Sequence, residues 1–79
     1  MEEKLISLNK LSIGSTAKVE KLTAEGNARR RMLDLGLINN TTVESIMKSP
    51  AGDPIAYYIR GAVIALRKEE SSKIFVKVI

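Results

Sequence analysis

Apolar and polar residues alternate along much of this chain, a pattern typical of strands that bury one face. The first clear run is Thr16–Leu22, and the second, Thr42–Lys48, loses strict alternation at Ile46 and Met47, which indicates a bulge or a bend. Further runs cover Ile55–Ile59, Ala62–Leu66 and residues 74–78, where alternate positions are again apolar. The pattern therefore predicts five or six short strands.

One segment, at about residues 27–35, has the helical period instead. Its apolar positions are Ala28, Met32 and Leu35, spaced i, i+4 and i+7. Leu33 falls outside this stripe and beside Arg29, so we expect it to be covered by a loop or left exposed for a partner.

Turn residues separate these elements. Gly26 or Asn27 can cap the start of the helix, and Gly36 stands where a left-handed residue would end it. Asn39-Asn40 predicts a turn before the second strand, and Arg60-Gly61 between two apolar runs predicts a tight hairpin. We predict a mostly β fold in one domain covering residues 1–79, a small SH3-like β-barrel with an inserted helix; an open α+β sheet is the alternative.

The composition excludes several classes of site. The chain has 79 residues and contains 0 Cys and 0 His. Disulfide frameworks, zinc fingers, iron–sulfur clusters and catalysis by His or by Cys–His pairs are therefore excluded. The first residues lack a basic segment followed by an apolar one, and no apolar run is long enough to cross a bilayer, so we expect a cytoplasmic protein without membrane insertion.

The carboxylates and glycines show no catalytic or nucleotide-binding pattern. The acidic residues stand on polar faces of strands, in turns or beside basic residues. Gly52 occurs in a turn sequence without the context of a phosphate-binding loop, and Asp53 after it is expected to accept backbone N–H bonds. We predict no enzymatic activity, no small-molecule substrate, no cofactor and no metal site.

The net charge is +4, with 13 Lys and Arg against 9 Asp and Glu, and the densest charge is Arg29-Arg30-Arg31. Three consecutive arginines spread over about 200° of a helix, so they cannot all face one ligand. One interpretation is a solvated helix face. The other is a docking surface in which Arg29 and Arg30 surround Leu33 as the apolar anchor. Leu33 would also allow self-association, whereas the three aromatic residues form no evident platform for stacking nucleic-acid bases.

Three segments together carry a family resemblance. They are residues 29–37 (RRRMLDLGL), 49–55 (SPAGDPI) and 59–70 (IRGAVIALRKEE). In this order and spacing they resemble the FeoA family, small proteins of bacterial ferrous iron uptake, over residues 8–78. The resemblance implies an SH3-like barrel with an inserted helix.

The resemblance also implies a function. FeoA proteins are accessories of FeoB, a membrane permease with a GTP-binding domain, and are thought to associate with it on its cytoplasmic side. Transition-metal binding is attached to the family as well, and here only carboxylate oxygens remain for that role. Alternative functions are a nucleic-acid-binding module or a metal-responsive regulatory module, because small barrels of this kind serve both purposes.

Overall fold

Six short strands and two helices make up the computed structural model of this chain, which describes residues 4–79. Their bounds, in chain order, are β1 Leu5–Ser7, a 3-10 turn Leu8–Lys10, β2 Thr16–Leu22, α1 Gly26–Asp34, β3 Thr42–Lys48, β4 Ile55–Ile59, β5 Ala62–Leu66, α2 Lys68–Ser71 and β6 Ile74–Val78. The later strands agree with the expected boundaries, and β1 was not predicted because three residues show no usable period.

The strands form one antiparallel sheet in the order β1-β6-β2-β3-β4-β5. The hydrogen-bonded ladder does not close, so β1 and β5 are its two edges. Arg60 and Gly61 form the predicted two-residue turn between β4 and β5, with φ values of +49° and +86°. These angles are typical of the type I′ turn that matches the twist of a hairpin.

The core lies on the inner face of the sheet, below α1 and the 3-10 turn. The alternation in β4 is clear, because Ile55, Tyr57 and Ile59 are buried whereas Tyr58 is exposed. The other buried apolar residues are Leu8, Leu11, Ala17, Val19, Ala24, Met32, Leu37, Val43, Leu66, Ile74 and Val76. Inside the core the Tyr57 hydroxyl donates to the carbonyl oxygen of Leu8 at 3.3 Å, so its polar atom is satisfied.

The irregularity expected in β3 is a β-bulge. Ser45 pairs with Tyr57 and Met47 pairs with Ala56, which leaves Ile46 as the extra residue. One extra residue reverses the alternation after the bulge. This reversal places Met47 outside, with 60% of its side chain exposed.

Helix α1 ends as its sequence predicts. Gly36 has φ +93°, its N–H donates to Leu33, and the N–H of Leu37 donates to Met32. This pair of bonds is the Schellman motif, and the buried side chains of Met32 and Leu37 provide the apolar contact that accompanies it. The helix therefore delivers the chain directly back to the core.

The start and inner face of α1 differ from the prediction. The N-cap is Glu25, not Gly26 or Asn27, and it makes no side-chain capping bond. Ala28 is exposed, so Met32 with half-buried Leu35 forms the inner face. Met32 is thus the one residue of α1 that is fully buried.

Asp53 accepts a backbone hydrogen bond, as expected, but from a distant segment. The N–H of Lys68 donates to its carboxylate at 2.8 Å. Lys68 is the first residue of α2, so the carboxylate satisfies an N–H that the helix itself leaves unpaired. The bond joins the loop before β4 to the turn after β5.

Candidate partner-binding surface

Two grooves lie on the surface, and one of them contains two of the three residues of the sequence-predicted site. The first, called here the helix groove, lies between α1 and β2 and has a volume of about 320 Å³. Arg29 and Leu33 both line it, with Leu22 and Ile38 beside them. The helical spacing of four residues places Arg29 and Leu33 on the same side of α1, which is why the structure brings them together.

Arg29 has a defined position in this groove. Its guanidinium donates a hydrogen bond to the carbonyl oxygen of Leu22 at 3.3 Å. The bond joins α1 to the end of β2 and holds a positive charge at the rim, next to Leu33. A cation beside an exposed leucine is a suitable contact for an apolar segment that carries a carboxylate.

The other two arginines of the triplet face elsewhere. Arg31 forms an ion pair with Glu70 and thereby joins α1 to the segment of α2. Arg30 is exposed, and it is not among the residues that line either groove. The predicted trio of Arg29, Arg30 and Leu33 is thus divided, with Arg29 and Leu33 together and Arg30 on a neighbouring part of the helix.

The second groove, called here the sheet groove, has a volume of about 590 Å³. Its floor is the outer face of β3 and β4, where Glu44 and Tyr58 are paired across the strands, and one wall is the loop of residues 38–41. Arg60 lines its end. Ile38 and Asn39 line both grooves, so the two form one continuous surface.

The exposed apolar residues on this surface are Leu33, Ile38 and Tyr58, with 40%, 46% and 46% of their areas accessible. Sequence reasoning left Leu33 open between two positions, and the structure places it at the surface. Ile38 was missed. The sequence signal for Ile38 was its position directly after Leu37. The side chain of Leu37 points into the core at the end of the helix, so that of the next residue points toward solvent.

Charges surround these apolar residues. Arg29 and Lys21 lie at the helix groove, and Arg60 lies at the sheet groove. The acidic residue Glu20 in the helix groove is 3.9 Å from the amine of Lys77, so a cation already accompanies its charge. The surface therefore combines apolar residues with three cations, and Glu44 on the floor of the sheet groove is its second acidic residue.

Within residues 4–79, no three carboxylates come together in a group that could hold an ion. With neither Cys nor His in the sequence, carboxylate oxygens and Met thioethers are the side-chain ligands left for the transition-metal binding attached to the family it resembles.

The fold and this surface define a small SH3-like β domain, and comparison with known proteins identifies its family. The FeoA domain family matches residues 6–78, so the chain belongs to the FeoA family, which is associated with ferrous iron transport. A FeoA-like protein from Clostridium acetobutylicum has the same fold with a TM-score of 0.89 and is 38% identical, covering 100% of this chain and 91% of that one. The resemblance seen in the sequence is confirmed.

Two further relatives add to this comparison. FeoA from Stenotrophomonas maltophilia, described as an SH3 domain protein and solved with zinc, has a TM-score of 0.79 and 27% identity, covering 90% of this chain and 88% of that one. This confirms the SH3-like fold. A fusion of Fe²⁺ transport protein A with the transporter FeoB, from Porphyromonas gingivalis, is 31% identical over 72 residues. The match covers 91% of this chain and 8% of the fusion protein.

Proposed function

We propose that this chain is a non-enzymatic accessory of ferrous iron uptake that docks on the cytoplasmic side of a FeoB-type permease. The observation that carries the proposal is the fusion protein, in which an FeoA segment and FeoB are parts of one polypeptide. Covalent linkage gives two segments a high effective concentration for each other, and such an arrangement is useful when the two act together. None of the helices in residues 4–79 has the length and apolar character to span a bilayer.

The docking surface we propose consists of Arg29, Leu33 and Ile38. Their side chains surround the helix groove, and Ile38 extends the surface into the sheet groove. Exposed apolar side chains close to a fixed cation can bury area and select a partner of opposite charge at the same time. The expected contact on the permease is therefore an apolar segment with a carboxylate at its edge.

Arg30 remains a predicted contact, with a smaller role than Arg29. It is exposed on α1 but lies outside both grooves. A charge at the rim of an interface mainly accelerates association and contributes little to the final affinity. We expect its removal to slow binding, most clearly at low salt.

The test is the affinity of the full chain for the isolated cytoplasmic part of the permease. Leu33→Ala, Ile38→Ala and Arg29→Ala should each weaken binding by about tenfold or more, because each removes a central contact. Met47→Ala is the matched control, since Met47 is exposed but lines neither groove. If the three variants bind as tightly as the control, the docking surface lies elsewhere.

A further inference from the structure

The edge of the sheet at β5 offers a second binding surface, made by its backbone. A two-residue turn joins β4 and β5, so Ile59 and Ala62 form the hydrogen-bonded pair next to it. Hydrogen-bonded and non-hydrogen-bonded pairs then alternate along the ladder. Val63 and Ala65, opposite Tyr58 and Ala56, therefore direct their N–H and C=O groups away from β4.

These outward groups are free among residues 4–79. No hydrogen bond from a turn, a loop or a side chain in this range reaches the backbone of Val63 or Ala65. Both residues are exposed, Val63 by 64%. Two residues with outward amides provide two donors and two acceptors in the repeat that an added strand would match.

Protective features that sheet edges commonly carry are missing along β5. The strand has the sequence AVIAL, without a charged residue or a proline, and its pairing with β4 is regular over all 5 residues. Native edges are commonly blunted by lysine, by proline or by a bulge. The other edge, β1, is protected by its length of 3 residues.

The charges at the two ends of β5 indicate what covers it. Arg60 precedes the strand, and Arg67 and Lys68 follow it, all three exposed; beyond them Glu69 is exposed and Glu70 is paired with Arg31. In the antiparallel register that pairs Val63 with Ala65 of a second copy, the turn that holds Arg60 would come close to Arg67 and Lys68 of that copy. Like charges opposite each other are unfavourable, and each copy also carries a net charge of +4.

We propose that the β5 edge binds an extended segment of a partner protein as an added strand, with apolar or β-branched residues at its centre and acidic residues at both ends. The cations at Arg60 and Arg67 flank the 5 residues of β5, a strand about 17 Å long. The added strand would lie beside Val63, which continues the row of Tyr58 across the outer face. This proposal does not depend on docking through α1.

The test uses the full chain, labelled with ¹⁵N, and a synthetic peptide as the probe. The peptide is acetyl-EETVTVTVEE-amide, and the control peptide has lysine in place of each glutamate. With the acidic peptide the amides of Val63 and Ala65 should exchange with solvent at least about tenfold more slowly, and the basic peptide should bind at least about tenfold more weakly. Equal binding of the two peptides would overturn the proposed occupant.

Two changes test whether the peptide pairs with β5 through its backbone. Neither alters the charges at the ends of the peptide or of β5. N-methylation of the central valine of the peptide removes one donor, and the variant Ala65→Lys places a charge on the edge, with Ala65→Thr as its matched control. Both the methylated peptide and the lysine variant should reduce affinity at least about tenfold. Retained affinity for the methylated peptide would overturn the added strand even if the lysine variant fails to fold. Protection of both amides without peptide, in a chain that tumbles as a dimer, would assign the edge to a second copy.

Discussion

The side chain of Arg60 lies across Gly36, so the turn of the β4–β5 hairpin rests against the end of α1. A Cβ atom on Gly36 would overlap the Cδ of Arg60 and lie 3.2 Å from its Cγ and Nε. The contact links the two grooves, because α1 borders the helix groove and Arg60 lines the sheet groove. The relative position of the two grooves thus depends on a residue without a side chain.

Replacing Gly36 should therefore be costly. Gly36→Ala must adopt φ +93° and displace Arg60, and the left-handed backbone alone costs an alanine about 1–2 kcal/mol. Gly14→Ala is the matched control, since Gly14 has φ +91° with no atom near its missing Cβ. Urea unfolding should show a slightly larger loss for Gly36→Ala, because the exposed Arg60 side chain must move, and Arg60→Ala should remove the excess. Equal losses in the two glycine variants would contradict the contact.

The ion pair of Arg31 with Glu70 should add little stability. The arginine side chain is 54% exposed and the carboxylate 24%, so water screens their attraction. We expect Arg31→Gln to lower the free energy of unfolding by less than about 1 kcal/mol, and by less again at high salt. Arg30→Gln is the neighbouring control and should have no measurable effect. A loss of equal size in both variants would show that net charge, not the pair, is responsible.

The two buried serines should respond differently to the loss of the hydroxyl group. The Ser45 hydroxyl is buried without a hydrogen-bond partner among the described residues, whereas that of Ser71 donates to the carbonyl of Arg67 at 3.3 Å. Ser45→Ala should leave stability unchanged or raise it by up to about 1 kcal/mol, and Ser71→Ala should lower it by about 0.5–1 kcal/mol. Thermal unfolding of the two variants decides this. A greater loss from Ser45→Ala would reveal a partner for that hydroxyl.

Alkaline pH should destabilise the chain through Tyr57. Burial raises the pKa of Tyr57 above the ordinary value of 10.0; the charge of Asp53 adds to this effect and a hydrogen bond with Ser71 opposes it. Because the pKa of Tyr57 is raised only in the folded state, the neutral phenol contributes fully to the free energy of unfolding below pH 10.0. This contribution is lost as the pH rises through the folded-state pKa. Urea unfolding from about pH 9 to about pH 11 should show this loss, and Tyr57→Phe should abolish that part of the dependence.

A Tyr58→Phe background isolates the same ionisation spectroscopically. The chain has 2 tyrosines, so Tyr57 is then the remaining phenol. Its tyrosinate absorbance should appear with a midpoint above pH 10.0 while the chain is folded. A midpoint at or below that value would contradict the burial of the hydroxyl.

The spacing of apolar residues along the chain and the identity of the turn residues predicted most of this fold. The limits of β2 and the bulge of β3 follow from alternation, and the end of α1 follows from Gly36, because each depends on neighbouring residues. The exposure of Ala28 and the pairing of β1 with β6 could not be predicted, since both depend on where distant segments pack. The open edge at β5 could not be predicted for the same reason.

The candidate site was predicted in part. Helical spacing placed Arg29 beside Leu33, and the structure adds Ile38 from the following loop. It also shows Arg31 paired with Glu70, which the sequence did not indicate because the two residues are 39 positions apart. Side-chain partners across such distances are set by the packing of α1 against the sheet.

The most direct test of the central claim is a map of the contact itself. The amide spectrum of the ¹⁵N-labelled chain is recorded while the unlabelled cytoplasmic part of the FeoB-type permease is added. Docking through α1 predicts that the largest changes occur at Arg29, Leu33 and Ile38, with Met47 unchanged. Changes centred on Met47 and the β3 bulge, with the helix groove unaffected, would contradict it.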